Sequence, residues 1–221
     1  MLPQLLLGHF IADYPAQTDW IFRRKLEGWP GHLMHGGVVL VAQASAVFPH
    51  TLRLAPALLG LALIHTIQDY VKVRYASRWF GALVAYFLDQ ALHVALLWLA
   101  SVWMVGVVGE SSPAVQWTAT LATAFVVVNW VYHITWRVAL GEEESYYRDW
   151  RWPGVLERLL ALCAGLLNVP WAAPLAVTPR LLVARSRGVS LRGYRFFWLD
   201  AILGLVLSAA LGFVLIHSIL F

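Results

Sequence analysis

Long apolar runs alternate with short polar breaks along the whole chain. An apolar helix needs about 20 residues to cross a bilayer. Runs near or above this length lie at residues 2–22, 32–49, 54–73, 80–107, 114–138, 155–184 and 196–220. The breaks between them are rich in Gly, Pro and charged residues, which end helices or avoid lipid. We therefore predict an all-α, polytopic transmembrane helical bundle that forms a single domain over residues 1–221.

The composition supports a membrane protein and argues against a soluble one. Hydrophobic residues make up 60% of the chain and charged residues 13%, whereas soluble domains carry about 25% charged residues. A net charge of +4 would suggest nucleic-acid binding in a soluble protein, but basic loops beside anionic headgroups explain it here. We expect the lipid bilayer as the partner and no nucleic acid; the sequence does not predict an oligomeric state.

Basic residues are concentrated in alternate breaks, which predicts the orientation. Arg23, Arg24 and Lys25 follow the first run, and Lys72 and Arg74 follow the third. The break after the fourth run contains neither Lys nor Arg. Because an excess of Lys and Arg marks cytoplasmic loops, we predict that the N-terminus lies outside and that the last run leaves the C-terminus outside as well.

The run over residues 155–184 departs from simple alternation. Basic residues flank both of its ends, with Arg151 before it and Arg185 after it, so both ends are predicted to be cytoplasmic. Its centre reads NVPWAAP, and Pro170 and Pro174 interrupt a helix because proline removes a donor and clashes one turn back. We predict a re-entrant or membrane-buried helical hairpin, which leaves six full spans. One long, kinked helix is the alternative.

Three runs carry a His and an Asp four residues apart. The pairs are His9 with Asp13, His65 with Asp69, and Asp89 with His93. Residues i and i+4 share one helical face, and ionisable groups inside a span are costly and usually functional. The predicted orientation puts all three pairs near the cytoplasmic leaflet, together with His35 at the start of the second run. We therefore expect these side chains to face one shared polar cavity.

Imidazole and carboxylate groups at this spacing are suited to bind a metal ion. We predict a divalent Zn, Mn or Fe site with the ligands His9, Asp13, His35, His65, Asp69, Asp89 and His93. The alternatives are a buried ion-pair network that only holds helices together and a proton or substrate relay. The residues predicted to support the ligands are Gln17, Gln90, His133 and Glu157. His32, His50 and His217 are not predicted as ligands, and Asp19 is expected at a helix end.

Several stretches resemble one known family. They read LLLGHFIADYPAQTDW, LMHGGVVLV, LIHTIQDYVKVR and FLDQALHV, with GVLERLLALCAGLL later in the chain. Their order and spacing resemble a bacterial integral-membrane family catalogued as domain of unknown function 3307. The resemblance implies a location in the bacterial cytoplasmic membrane and implies that the seven His and Asp residues belong together. It does not imply a reaction.

Three functions remain compatible with the sequence. The first is a membrane-embedded, metal-dependent hydrolase that acts on a lipid or lipid-linked substrate at the cytoplasmic leaflet, with Asp69 or Asp89 as the catalytic general base. Neither an H-E-x-x-H nor a G-x-S-x-G motif is present to support it. The second is a divalent metal or proton transporter, since His and Asp inside spans also mark ion pathways. The third is a structural or assembly protein that the metal stabilises.

Overall fold

The computed structural model describes residues 1–140, 144–186 and 197–220, and within these ranges the chain is helical without strands. The α-helices are α1 (Leu2–Asp13), α2 (Asp19–Glu27), α3 (Trp29–Ala46), α4 (Thr51–Val71), α5 (Ser77–Phe80), α6 (Ala82–Val108), α7 (Pro113–Val126), α8 (Tyr132–Leu140), α9 (Glu144–Leu166), α10 (Thr178–Ser186) and α11 (Phe197–Leu220). Two π-helical turns, Lys72–Ala76 and Val127–Val131, and one 3-10 helix, Pro170–Val177, complete the described chain. The all-α prediction is confirmed.

Four stretches of helix are long and apolar enough to cross a membrane. They are Thr51–Tyr75, Ala82–Val108, Pro113–Ala139 and Phe197–Ser218. Each coincides with a predicted run, and large apolar side chains cover their outer faces, as expected in lipid. The structure therefore supports four membrane spans. The six full spans predicted from the sequence are not confirmed.

The prediction of one continuous helix over residues 2–22 is wrong. The chain instead forms α1, which ends at Asp13, and α2, which begins at Asp19. Pro15 explains the break, because the residue before a proline avoids the α conformation, and Tyr14 has left it with φ −119° and ψ −80°. Thr18 then starts α2 by accepting a hydrogen bond from the amide of Ile21. At 12 residues, α1 rises about 18 Å, which is less than the hydrocarbon core of about 30 Å.

The described chain forms two compact units, Met1–Val126 and Val127–Phe221. The single domain predicted over residues 1–221 stays a prediction. In the second unit the chain reverses after α9: Asn168 has a positive φ of 59°, and α10 returns so that Arg180 pairs with Glu157 of α9. The predicted helical hairpin is therefore the local fold, rather than one long helix. Its position relative to the membrane stays a prediction.

Four helices of the first unit share one buried pattern. Each buries a stripe of residues three or four positions apart, which is the spacing of one helical face. At one end of the unit this stripe is apolar, and the buried core residues there are Met1, Leu5, Val47, Leu54, Leu58, Leu97 and Met104. Towards the other end of α1, α3, α4 and α6 the stripe changes to His and Asp. The helices that build the core therefore also carry the polar cluster.

Gly8 sets the distance between α1 and α3. A Cβ atom at this position would lie 2.9 Å from the Cα of Gln43 and 3.1 Å from the carbonyl oxygen of Ala42. Both of these atoms belong to the backbone of α3, so neither can rotate away. Glycine at position 8 therefore lets α1 approach α3 closely enough for the next residue, His9, to enter the cluster.

Substitution of Gly8 tests this packing. We expect Gly8→Ala to destabilise the protein by about 1–3 kcal/mol, the usual cost of an added methyl group in a packed interior. The control is Gly37→Ala on α3, because a Cβ at Gly37 meets no atom within 4 Å; it should leave stability unchanged or slightly raised. Thermal unfolding of both variants in detergent micelles measures the difference. Equal stability of the two variants would contradict the close approach.

Candidate metal centre

The cluster lies where four helices of the first unit meet. Its side chains are almost fully buried, with 1% of His9 and 3% of His93 exposed. The contributing residues are His9 and Asp13 on α1, His35 on α3, His65 and Asp69 on α4, and Asp89 and His93 on α6. The structure thus brings all seven predicted ligands together within the first unit. Their role as ligands stays a prediction.

Asp13 forms the centre of this cluster with two imidazoles. Its Oδ1 atom lies 3.1 Å from His35 Nε2 and 3.2 Å from His65 Nε2. The two Nε2 atoms are themselves 3.1 Å apart. Three atoms that are each able to ligate a metal therefore form a nearly equilateral triangle. We call Asp13, His35 and His65 the central triad.

With the Asp13 carboxylate ionised, no arrangement of protons satisfies all three edges of this triangle. If both Nε2 atoms carry a proton, two N–H groups face each other at 3.1 Å. If only one carries a proton, the lone pair of the other nitrogen faces the lone pairs of the Asp13 carboxylate. Buried polar groups are normally all paired in favourable hydrogen bonds. A cation in contact with all three atoms removes the conflict, because each atom then directs a lone pair at a positive charge.

The edge lengths fit metal coordination. Bonds of about 2.1 Å separate neighbouring ligand atoms by about 3.0 Å in octahedral geometry and about 3.4 Å in tetrahedral geometry. The observed edges of 3.1, 3.1 and 3.2 Å lie between these values. Two histidines and a carboxylate also form the protein ligands of many catalytic zinc sites and of non-haem iron sites. The donor set is therefore compatible with Zn, Mn or Fe.

His9, His93 and Gln90 surround the central triad. Gln90 Nε2 donates a hydrogen bond to Asp13 Oδ2 at 3.3 Å, and Gln90 Oε1 lies 3.4 Å from His9 Nε2. Gln90 therefore contacts two of the predicted ligands, and its role as a supporting residue stays a prediction. The ring of His93 lies 4.2 Å from that of His65 and 5.0 Å from that of His9. Neither ring nitrogen of His93 has a hydrogen-bond partner among the described residues.

Two lysines neutralise the other carboxylates. Lys25 of α2 contacts Asp69 directly, and Lys72 donates to Asp89 Oδ2 at 2.6 Å while lying 3.1 Å from Asp69 Oδ1. Only 4% of Lys25 is exposed, and Asp69 is its counter-ion. In the sequence both lysines indicate only the orientation, and their contacts with the carboxylates were not predicted. The spacing of Lys72 three residues after Asp69 was a usable signal, whereas nothing in the sequence connects Lys25 to Asp69.

His32 and Gln17 belong to the same end of the cluster. His32 was not predicted as a ligand, yet it is buried with Nδ1 3.7 Å from Asp69 Oδ2. Gln17 Oε1 accepts a hydrogen bond of 2.6 Å from Lys25, so Gln17 supports Lys25 rather than a histidine. Asp19 is exposed in the first turn of α2, as expected of a helix-end residue.

The remaining supporting residues, His133 and Glu157, lie in the second unit. His133 is part of α8, and its predicted role stays a prediction. Glu157 is fully buried in an ion pair with Arg180, which also bonds Asp200 at 2.9 Å. Glu157 thus has its counter-ion within its own unit.

The charges in the cluster leave room for a cation. Three carboxylates, those of Asp13, Asp69 and Asp89, face two ammonium groups, those of Lys25 and Lys72. With neutral imidazoles the described cluster carries one net negative charge. Buried charge is costly unless it is compensated, and Asp13 is the carboxylate that has imidazoles rather than a lysine as neighbours. The site that favours a metal is therefore the central triad.

The Lys25–Asp69 pair gives a test of these electrostatics. Asp69→Asn leaves the ammonium of Lys25 buried without its counter-charge, and we expect a loss of about 3–5 kcal/mol in stability. The double variant Asp69→Asn with Lys25→Met should recover at least half of the lost stability. Asp19→Asn, which removes an exposed carboxylate, is the control and should change stability by less than about 0.5 kcal/mol. Lys25→Met alone completes the cycle. Denaturant unfolding in micelles measures the parent and these four variants, and strictly additive single effects of Asp69→Asn and Lys25→Met would contradict the pairing.

Comparison with known proteins places the first unit in a family. No curated protein and no solved structure matches the chain. The family described as "Protein of unknown function (DUF3307)" matches residues 1–135, a range that contains all seven predicted ligands and both lysines of the cluster. This match covers more than half of the 221 residues and confirms the resemblance noted from the sequence. The chain belongs to the DUF3307 family of proteins of unknown function.

Proposed function

We propose that this protein is a membrane-embedded metalloenzyme, a metal-dependent hydrolase that acts on a lipid or lipid-linked substrate at the cytoplasmic leaflet. The observation that carries the proposal is the triangle formed by Asp13 Oδ1, His35 Nε2 and His65 Nε2. These three residues are the ligands that we assign to a divalent ion, either Zn, Mn or Fe.

The donor set favours catalysis over a purely structural role. Structural zinc sites are closed by four protein ligands and are usually rich in cysteine, whereas catalytic sites combine three protein ligands with one open position. The central triad provides three ligands from three helices. A divalent ion held by such a set lowers the pKa of a bound water to about 7 and polarises a carbonyl or phosphoryl oxygen.

The neighbouring residues supply the functions that hydrolysis requires. Asp69 Oδ2 lies 3.9 Å from His35 Nε2, beside the central triad, so it is the better placed of the two predicted bases. Its contacts with Lys25 and Lys72 hold the carboxylate in place beside the triad. Asp89 holds Lys72 and lies 3.6 Å from His93. His93, whose ring nitrogens have no hydrogen-bond partner in the described chain, is available to bind water or substrate.

The apolar end of the first unit argues against a transport pathway. An ion that crosses the bilayer needs successive polar ligands. Beyond the cluster the buried stripe is mostly apolar, with Leu5, Leu58, Leu97 and Met104 each at most 3% exposed, and its buried polar residues among those described are the uncharged Gln4, Gln43 and Ser101. The buried ionisable side chains of the described first unit are thus confined to the cluster end. This arrangement supports a one-sided site over the alternative of a metal or proton transporter.

We further propose that the polar end of the unit faces the cytoplasm. The loops and helix ends there contain Arg23, Arg24 and Arg74 in addition to the two lysines, and basic residues favour the cytoplasmic side. This orientation corresponds to a bacterial cytoplasmic membrane protein with both termini outside. The re-entrant position of the hairpin over residues 155–184 is part of the same proposal.

Metal content tests the assignment of the ligands. The purified protein, loaded with Zn²⁺ and desalted, should retain about one ion per chain. His65→Gln should weaken zinc affinity at least tenfold, since even residues that only support metal ligands contribute about 10–100-fold. The control is His50→Gln, because His50 precedes α4 at the other end from His65 and should leave zinc affinity unchanged. Equal zinc affinity in both variants would refute the assignment.

Turnover distinguishes an enzyme from a metal-stabilised scaffold. We expect the zinc-loaded protein in lipid nanodiscs to release hydrolysis products from a panel of bacterial phospholipids and polyprenyl phosphates, detected by mass spectrometry. Asp13→Asn should abolish this activity, because it removes the charged ligand of the central triad. Zinc-dependent thermal stability without any product would favour a structural role. Zinc flux into sealed vesicles would favour the transporter.

A further inference from the structure

A small cavity opens beside the Asp69 end of the cluster. Its volume is about 210 Å³, and its walls come from the end of α2, the start of α3 and the end of α4 with the π-helical turn that follows. The lining residues are Lys25, Leu26, Glu27, Gly28, Trp29, His32, Tyr70, Val73 and Arg74. Two of these, Lys25 and His32, contact Asp69. The cavity therefore lies next to two residues that contact Asp69.

The cationic groups of this cavity suit an anion. Arg74 is exposed and makes no ion pair with any residue in the described ranges. The buried ammonium of Lys25 forms another part of the wall. Glu27 is the carboxylate among the lining residues, and Arg24 neutralises it at 2.9 Å. Lys25 is already paired with Asp69, so the positive charge that remains for an anion is that of Arg74.

The backbone at the start of α3 adds hydrogen-bond donors. Helix α3 begins at Trp29 with Gly28 as its N-cap, and no side chain caps this end. Pro30 has no amide proton, so the amides of Trp29 and Gly31 are those that can face an anion at this helix N-terminus. His32 lines the cavity and is 1% exposed, and its Nδ1 lies 3.7 Å from Asp69 Oδ2. Gly28 adopts a φ of 145°, which side chains rarely tolerate, so the turn that shapes this wall depends on glycine.

The surroundings of the cavity indicate a lipid source for the anion. Trp29 stacks on Tyr70 with ring centroids 4.2 Å apart, and aromatic rings of this kind favour the headgroup region. Helix α2 exposes Trp20, Phe22 and Leu26 beside Arg24. An amphipathic helix with this composition lies in the membrane interface. A headgroup phosphate is found at that depth.

We propose that this cavity binds the phosphate group of the substrate, a phosphate monoester or diester carried by a lipid, and holds it beside the metal centre. The proposal rests on the proposed function for the identity of the substrate, but the binding of phosphate can be tested without any catalysis. Arg74 supplies the charge, and the amides of Trp29 and Gly31 at the start of α3 supply hydrogen bonds. The volume of about 210 Å³ accommodates a headgroup and not a whole lipid.

The test is a binding measurement on the full chain in micelles. Short-chain phosphatidic acid, short-chain phosphatidylcholine and inorganic phosphate are titrated separately by calorimetry. We expect phosphatidic acid to bind more tightly than phosphatidylcholine, and Arg74→Gln to weaken its affinity about tenfold, as expected for the loss of a charge-assisted bond. Arg74→Lys should retain part of the affinity. Arg53→Gln is the matched control, because Arg53 is equally exposed but lies at the opposite end of α4.

The outcomes separate this proposal from the proposed function. Binding of inorganic phosphate alone, with the same dependence on Arg74, supports the cavity as a phosphate site with a soluble source. Equal weakening by Arg74→Gln and Arg53→Gln, or no binding of any phosphate compound, overturns it. Zinc content is measured on the same samples and should not change in Arg74→Gln. Phosphate binding that depends on Arg74 in a protein that retains no zinc would support the cavity as a phosphate site and refute the proposed metalloenzyme.

Discussion

The first unit is organised around buried carboxylates that must find positive or hydrogen-bonding partners. A carboxylate removed from water is strongly destabilising unless it is compensated. Asp69 and Asp89 are compensated by Lys25 and Lys72. Asp13 has the imidazoles of His35 and His65 instead. The same requirement explains why helices that are apolar at one end bring their polar stripes together at the other.

This compensation has different consequences for the three carboxylates. A lysine satisfies a carboxylate completely, because an ammonium group provides both charge and protons. Two neutral imidazoles that also face each other at 3.1 Å do not satisfy Asp13 in the same way. The unresolved edge of that triangle is the physical reason that the proposed function assigns a metal to Asp13. In that proposal, the lysine-bound carboxylates act on what is bound there.

The sequence predicts those parts of the cluster whose placement depends only on helical periodicity. The i, i+4 spacing of His9 with Asp13 and of His65 with Asp69 puts each pair on one buried face, and the structure shows both pairs inside the first unit. Pro15 also indicates a break, because proline constrains the residue before it. The prediction of a span over residues 2–22 rested instead on the length of the apolar run. Hydrophobicity measures the preference for lipid and does not establish that a helix is continuous.

Contacts between distant segments could not be predicted in this way. Lys25 reaches Asp69 because α2 folds back over the start of α3, and His32 reaches the same carboxylate from the next helix. From the sequence alone, a lysine beside two arginines most simply indicates a cytoplasmic loop. Glu157 shows the converse: it is buried as an active-site residue would be, yet Arg180 pairs with it in the second unit.

The central claim is that Asp13, His35 and His65 hold one metal ion. X-ray absorption spectroscopy of the zinc-loaded protein measures this most directly, because it reports the ligand atoms and their distances. The account predicts nitrogen and oxygen ligands at about 2.0–2.1 Å, with outer-shell scattering from at least two imidazoles. A spectrum dominated by sulfur at about 2.3 Å, or one without imidazole scattering, would contradict it.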